Sequence, residues 1–131
     1  MSGRGGAAPI ERLEMSAYTV PTDAPEADGT LAWNSTTIVV VEAHAAAHVG
    51  LGYSYTHAAA AELVAGPLAE VVRGRDALDV PAAWHAMRHH TRNLGRPGLV
   101  ASAIAAVDTA LWDLKARILE LPLVSLLGAV R

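Results

Sequence analysis

From Ile10 to Val20, apolar residues recur at Ile10, Leu13, Met15 and Ala17 with Glu11, Arg12, Glu14 and Ser16 between them. This imperfect period of two predicts a half-buried first strand. Ser35 to Ala43 (STTIVVVEA) is β-branched from Thr36 through Val41, and such side chains crowd a helix but pack well on a pleated surface, so a second strand is predicted there. After a turn near Ala45 to Ala47, Val49, Leu51 and Tyr53 alternate with Gly50, Gly52 and Ser54, predicting a third strand that pairs back antiparallel. Between the first two strands, residues 21–34 (PTDAPEADGTLAWN) hold two prolines, three acidic residues and an Asp-Gly pair. That stretch is expected to be a long loop.

The pattern then changes period. His57 to Val72 is rich in Ala, Leu, Val and Glu, with Gly66-Pro67 expected to break it into two helical pieces and Gly74 to stop it. Asp79 is placed to cap a further helix with Pro81 in its first turn, Val80, Trp84, Met87, Thr91 and Leu94 on one stripe, and Gly95 at its end. From Gly98 to Leu119, Ile104, Val107, Leu111, Leu114 and Ile118 recur at 3-4-3-4 spacing, flanked by Ala103, Ala106 and Ala110. So small-sided a seam lets another backbone approach closely. Leu121 to Gly128 reads as a last short helical turn. Strands first and helices afterwards is the α+β class: a three-stranded antiparallel meander followed by a bundle of three to four helices.

Composition narrows the chemistry. The chain has 131 residues with 27 alanines and no phenylalanine, so its core is built from small aliphatic side chains. Net charge is −3 and no Lys/Arg-rich block occurs, which removes the electrostatic footprint of nucleic-acid or anionic-membrane binding. Zero cysteines exclude disulfides, thiolate metal sites and Cys nucleophiles, and no apolar run reaches the ~18 residues of a membrane span. Residues 1–9 contain no signal-peptide core and are expected to be a mobile tail, in a cytoplasmic protein.

Few side chains stand in reactive patterns. His85 and His89 are spaced i, i+4, yet Ala86 stands where a zincin places Glu, so a solvated helix face is the better reading. His44, His48 and His57 sit around a turn and a helix start and carry no assigned role. Gly50-Leu51-Gly52 lacks the third glycine and the βαβ setting of a dinucleotide site, and Asn34-Ser35-Thr36 is an accidental glycosylation match. Asp113 and Arg117 are a helix-stabilising i, i+4 pair. Asp23, Asp28, Thr30 and Trp33 in residues 21–34, with Tyr53, Tyr55 and Thr56 after the third strand, can either grip a polar small molecule or anchor the helices to the sheet. No catalytic or metal-ligating residue is assigned.

The order of Thr36-Thr37-Ile38-Val39-Val40-Val41-Glu42, Gly50-Leu51-Gly52-Tyr53 and Leu94-Gly95-Arg96-Pro97-Gly98 resembles a known family. So, more specifically, does Ala103-Ile104-Ala105-Ala106-Val107-Asp108-Thr109-Ala110-Leu111-Trp112-Asp113-Leu114-Lys115-Ala116, followed by Leu121-Pro122-Leu123 and Leu126-Leu127-Gly128. Over residues 10–131 the chain is similar to the amino-terminal capping domain of the enolase superfamily, in its mandelate racemase and muconate lactonizing branch. The resemblance implies a domain that caps a (β/α)₇β barrel and closes two loops over the substrate, matching residues 21–34 and 52–57 here. Asp28, Thr30, Trp33, Tyr53 and Tyr55 are the substrate-binding residues it implies.

The family abstracts a proton α to a carboxylate with a Lys or His base and Mg²⁺, as racemases, cycloisomerases or acid-sugar dehydratases. Its base, acid and metal ligands sit on barrel strands, and a barrel takes roughly 250 residues. The implied organisation is a tail (1–9), a capping domain (10–120) and a lead-in to a barrel (121–131), with no catalysis and no cofactor in this chain alone. It is expected to be a fragment of an enzyme or a cap that has lost its barrel. The implied partners are that barrel and a carboxylate small molecule. Leu121 to Leu127 would then form part of an exposed apolar face that favours self-association. The alternative is a stand-alone module that binds a small ligand or a protein.

Overall fold

The computed structural model describes residues 8–130. Alternating side chains produce a sheet with one helix-covered face. Strands β1 (Arg12–Ala27), β2 (Ala32–Ala45) and β3 (His48–Tyr55) pair antiparallel in the order β1-β2-β3. On one face Leu13 of β1 and Val39, Val41, Ala43 and Ala45 of β2 are buried; on the other Tyr18, Val20, Leu51, Tyr53 and Tyr55 are exposed. The helices follow as α1 (Ala60–Leu63), a π-helical turn (Val64–Leu68), α2 (Ala69–Val72), α3 (Val80–His90), α4 (Leu99–Ile118) and α5 (Leu123–Leu127). This is the α+β meander and helical bundle the sequence implies. No helix among the described residues is long and apolar enough to cross a membrane.

The 20-residue helix α4 is the centre of the packing. Gly50 lies against Ala110 and Leu114, and Gly52 against Ala106 and Ala110; a Cβ at either glycine would overlap backbone atoms of the helix. As β3 advances, its contacts on α4 move backward, and Ser54 Oγ donates to the Ser102 carbonyl near the helix start. The two elements are therefore antiparallel. The other sides of α4 bury Val107 and Leu111 in one core with Val64, Leu68, Val72, Val80 and Met87. Asp113 adds a polar tie: its Oδ2 accepts from the Leu51 N–H at 2.8 Å and from Arg117 Nε at 2.8 Å. The predicted helical pair exists, and the same carboxylate also blunts the open edge of β3.

Several elements differ from the sequence expectation. Residues 21–34 are not a loop: β1 runs to Ala27 and β2 starts at Ala32, so the strands continue past the end of β3 as a two-stranded arm. Pairing jumps from Pro21↔Ser35 to Glu26↔Trp33, which places the extra residues and Pro25 in a bulge on the edge strand, where a missing N–H breaks no ladder bond. Gly66-Pro67 does not split the helical stretch. The Ala69 N–H reaches the Val64 carbonyl, a widened turn that carries the chain past the ring of Pro67.

Asp79 makes no side-chain cap; the nearby Asp76 carboxylate instead accepts from Leu78 N–H at 3.0 Å and Ala8 N–H at 3.2 Å. Helix α3 stops at His90 rather than Gly95: the Thr91 N–H and hydroxyl both close on the Met87 carbonyl, and the next N–H, of Arg92, bonds three residues back to His89. Leu94 is consequently exposed. The tail expected over residues 1–9 lies outside the described residues up to residue 7. Ala8 and Pro9 depart from it: Ala8 is buried and its carbonyl accepts from Ala77 N–H at 2.8 Å, while Pro9 bridges to Asp76.

Replacing Gly52 by Ala is expected to cost about 3 kcal/mol in denaturant unfolding, since α4 must be pushed off the sheet. Gly66→Ala, whose methyl meets no atom beyond its chain neighbours, is expected to cost less than about 1 kcal/mol, from crowding against the ring of Pro67 alone. Equal effects at the two sites would refute the close-approach account. Asp113→Ala is expected to cost about 1–3 kcal/mol by the same measurement, because it leaves the Leu51 N–H without its charged acceptor.

Candidate functional site

The arm formed by the far halves of β1 and β2 has no helix behind it and is held by its own polar contacts. Its tip is a turn in which the Asp28 N–H donates to the Leu31 carbonyl at 3.0 Å. Asp28 Oδ1 accepts three bonds: Thr30 N–H at 2.7 Å, Thr30 Oγ1 at 2.8 Å and Leu31 N–H at 2.8 Å. The Leu31 and Thr30 donors hold the Asp28 carboxyl below the usual carboxylate range. Further down, Trp33 Nε1 donates to Glu26 Oε2 at 2.9 Å across the arm. Pro25, Ala32, Trp33 and Asn34 line a shallow hollow of about 340 Å³, and Leu31 beside the tip is 70% exposed.

The five residues implied as substrate-binding fall into two groups. Asp28, Thr30 and Trp33 lie on the arm. Tyr53 and Tyr55 lie on β3 opposite Val40 and Ile38, on the sheet face away from α4 and exposed. Along β2, Trp33 has the parity of the helix-facing residues Val39 and Val41, so it belongs to the other face from the two tyrosines. Of the flanking candidates, Asp23 is exposed in the bulge, and Thr56 is tied to the sheet by its N–H to the Thr37 carbonyl at 3.1 Å. What the arm offers a ligand is the indole wall of Trp33, the exposed Asp23 and one open oxygen on each of Asp28 and Glu26.

No described group suits Mg²⁺, which requires several free oxygen ligands in octahedral geometry. On the arm, one oxygen each of Asp28 and Glu26 serves N–H and O–H donors, and among the described residues no third His, Asp or Glu ligand closes a cluster with them. Elsewhere Glu14, Glu42 and His44 bring ligand atoms within 4.8 Å of one another on the exposed sheet face. There Arg12 donates to Glu14 at 2.8 Å and holds its carboxyl below the usual range. His85 packs edge-on to Trp84 with ring centroids 5.1 Å apart, and among the described residues His85 and His89 gain no third His, Asp or Glu donor.

A second concavity, which sequence reasoning missed, lies between α3 and α4. Trp84 was placed on the buried stripe of α3, but it is half-buried, and the Arg88 guanidinium stacks over its ring at 4.6 Å. Asp108 is half-buried in the same cleft, and burial raises its carboxyl above the usual range. The available signal was a lone Asp in the apolar run from Val100 to Leu111. In α5 no residue is buried, and Leu121, Val124 and Leu127 stand exposed around it.

Comparison with known proteins accounts for this arrangement. The family model for the mandelate racemase/muconate lactonizing enzyme N-terminal domain matches residues 14–128. A mandelate racemase/muconate lactonizing enzyme-like protein from Rubrobacter xylanophilus superposes with a TM-score of 0.88 at 56% identity, covering 90% of this chain and 33% of that one. The L-talarate/galactarate dehydratase of Salmonella typhimurium LT2, solved with Mg and L-lyxarohydroxamate, gives a TM-score of 0.82 at 27% identity over 100% of this chain and 36% of its own. The 3,6-anhydro-alpha-L-galactonate cycloisomerase of Streptomyces coelicolor is 35% identical over 127 residues, 91% of this chain and 35% of that protein. The chain thus spans about a third of the length of these relatives, and nothing in them supports a stand-alone binding module. It belongs to the mandelate racemase/muconate lactonizing branch of the enolase superfamily, and what it contains of that architecture is the amino-terminal domain.

Proposed function

We propose that this chain is the capping, substrate-specificity domain of an enzyme that removes the proton α to a carboxylate in a hydroxy acid of the sugar-acid kind. The observation that carries the reading is the arm. It extends past the helix-covered part of the sheet and ends in a turn set by Asp28, with the Trp33 indole beside a hollow of about 340 Å³. A shape-giving lid of this kind excludes water and orients the substrate, while proton transfer and Mg²⁺ belong to a barrel domain outside these residues. The exposed leucines and valine around α5 and the exposed Tyr53 and Tyr55 are the surfaces this reading assigns to contact with the barrel and the substrate.

The chain alone, with Mg²⁺, is expected to show no turnover of L-talarate, galactarate or L-rhamnonate above blank. Residues 8–130 grafted in place of the matching third of the Salmonella dehydratase are expected to restore turnover of a sugar acid. In that chimera Trp33→Ala should lower kcat/KM about tenfold without changing the melting temperature. Turnover by the chain alone, or a folded chimera indifferent to Trp33→Ala, would overturn the proposal.

Arm-tip order carries a pH signature. The Asp28 carboxyl is depressed in the folded state, so its contribution is present above the unfolded value and lost as pH falls through the folded value. The Thr30 and Leu31 amide resonances are expected to titrate together, with a midpoint below the ordinary ~3.9 of an aspartate. In Asp28→Asn the titration should vanish; its persistence would mean another group sets the turn.

A further inference from the structure

The cleft between α3 and α4 encloses about 310 Å³, the size of a small-ligand pocket. Its space exists because α4 presents Ala101 and Ala105 there, between the larger Val100, Ile104 and Asp108. Val100 and Ile104 form an apolar floor, and Trp84 with the Arg88 guanidinium stacked on its ring at 4.6 Å forms a wall. Arg88 and Arg96 both line the cleft, and among the described residues neither forms an ion pair. From Val80 to Val107 the chain has no acidic residue while holding Arg88, Arg92 and Arg96, so this flank is locally cationic despite the net charge of −3. Stacking on Trp84 restrains the Arg88 guanidinium plane and leaves its N–H edges free to donate.

Polarity is ordered along the cleft. Arg96 lies just before α4 and Val100 in its first turn, whereas Asp108 is eight residues beyond Val100, about 12 Å along the axis. Asp108 also lines a smaller hollow with Pro81, Trp84 and Trp112, which places it at the end of the cleft toward the start of α3. Arg88 and Arg96 line the larger cleft but not the smaller hollow, so two guanidinium groups, an apolar floor and a carboxyl toward that hollow define a ligand with three parts. The Thr91 hydroxyl is spent on Met87 and contributes no donor.

We propose that the α3–α4 cleft binds a small monocarboxylic acid with a flat apolar body and a hydroxyl at its far end, carboxylate on Arg88 and Arg96, body over Val100 and Ile104, hydroxyl on Asp108. A dicarboxylate is disfavoured because its second charge would meet Asp108. The site shares no residue with the arm and stands independently of the capping role.

The test uses 4-hydroxybenzoate as probe and the purified chain, with calorimetric titration and amide NMR shifts. The expected result is saturable binding, with shifts confined to Trp84, Arg88, Arg96 and the Val100–Asp108 stretch. Arg88→Gln with Arg96→Gln should weaken it about tenfold or more, the effect of losing charge-assisted hydrogen bonds. Phenol, which lacks the carboxylate, should bind weaker by a similar factor. Asp108→Ala should abolish the preference for 4-hydroxybenzoate over benzoate, and Ala105→Leu, which fills the cavity from an exposed position, should block binding while the fold is retained by circular dichroism. Absence of saturable binding, equal binding by the double arginine variant, or equal competition by sulfate would overturn the proposal.

Discussion

The rest of the structure depends on how closely α4 approaches β3. At Gly50 and Gly52 the sheet has no side chain, and the helix answers with Ala106 and Ala110, so backbone meets backbone where two ordinary residues would hold the elements apart. A close-packed interior gains its attraction from many short contacts, and small residues achieve the density that larger ones reach by interdigitation. This is why a core without phenylalanine suffices. Buried Ala103, Ala106 and Ala110 spend little side-chain entropy, and Val107 and Leu111 remain free to fill the space toward α1, α2 and α3. With its distance to the sheet set, α4 also delivers Asp113 to the edge of β3 and Asp108 to the α3–α4 cleft.

The arm obeys a different rule, since nothing apolar supports it. A bare two-stranded ribbon is marginal in water, and several of its polar side chains are spent on internal bonds: Asp28 on three donors, Glu26 on the Trp33 indole, Thr19 on Thr37 at its base (2.8 Å). Those bonds have a chemical consequence. A carboxylate whose Oδ1 accepts three hydrogen bonds is a poor base, because those donors favour its charged form and hold it below the usual range, while its Oδ2 stays open. Two of the three acidic residues of the arm are thereby tied into its own structure.

Strand order, the antiparallel meander and the seam of α4 were legible because each is written in local periodicity: alternation at Val49 to Ser54 and 3-4 spacing from Ile104 to Ile118. The arm was not, since Pro21, Pro25 and Asp28-Gly29 carry turn signals at every scale, and only the cross-strand register shows them as one bulge and one tight tip. The helical passage of Pro67 was hidden for a similar reason. A proline removes one bond, and whether the chain breaks or widens by a residue depends on packing of Val64 and Leu68 against the core. Trp33 lines a hollow on the arm, and the separation of Tyr53 and Tyr55 onto the other sheet face follows from register, which no single strand encodes.

Charge then divides the labour between the two concave surfaces. Asp23, Glu26 and Asp28 give the arm a negative field, against which a carboxylate-bearing molecule is repelled over distances of about a Debye length, ~8 Å at physiological ionic strength. An anionic substrate beneath such a lid must be drawn by cations that the lid does not carry. Two cations of this domain, Arg88 and Arg96, stand on the far side of α4, where the cleft faces away from the sheet. A capping role for the arm therefore requires positive charge from the domain it covers, and a metal ion on that domain meets the requirement while leaving the arm's carboxylates to their structural bonds.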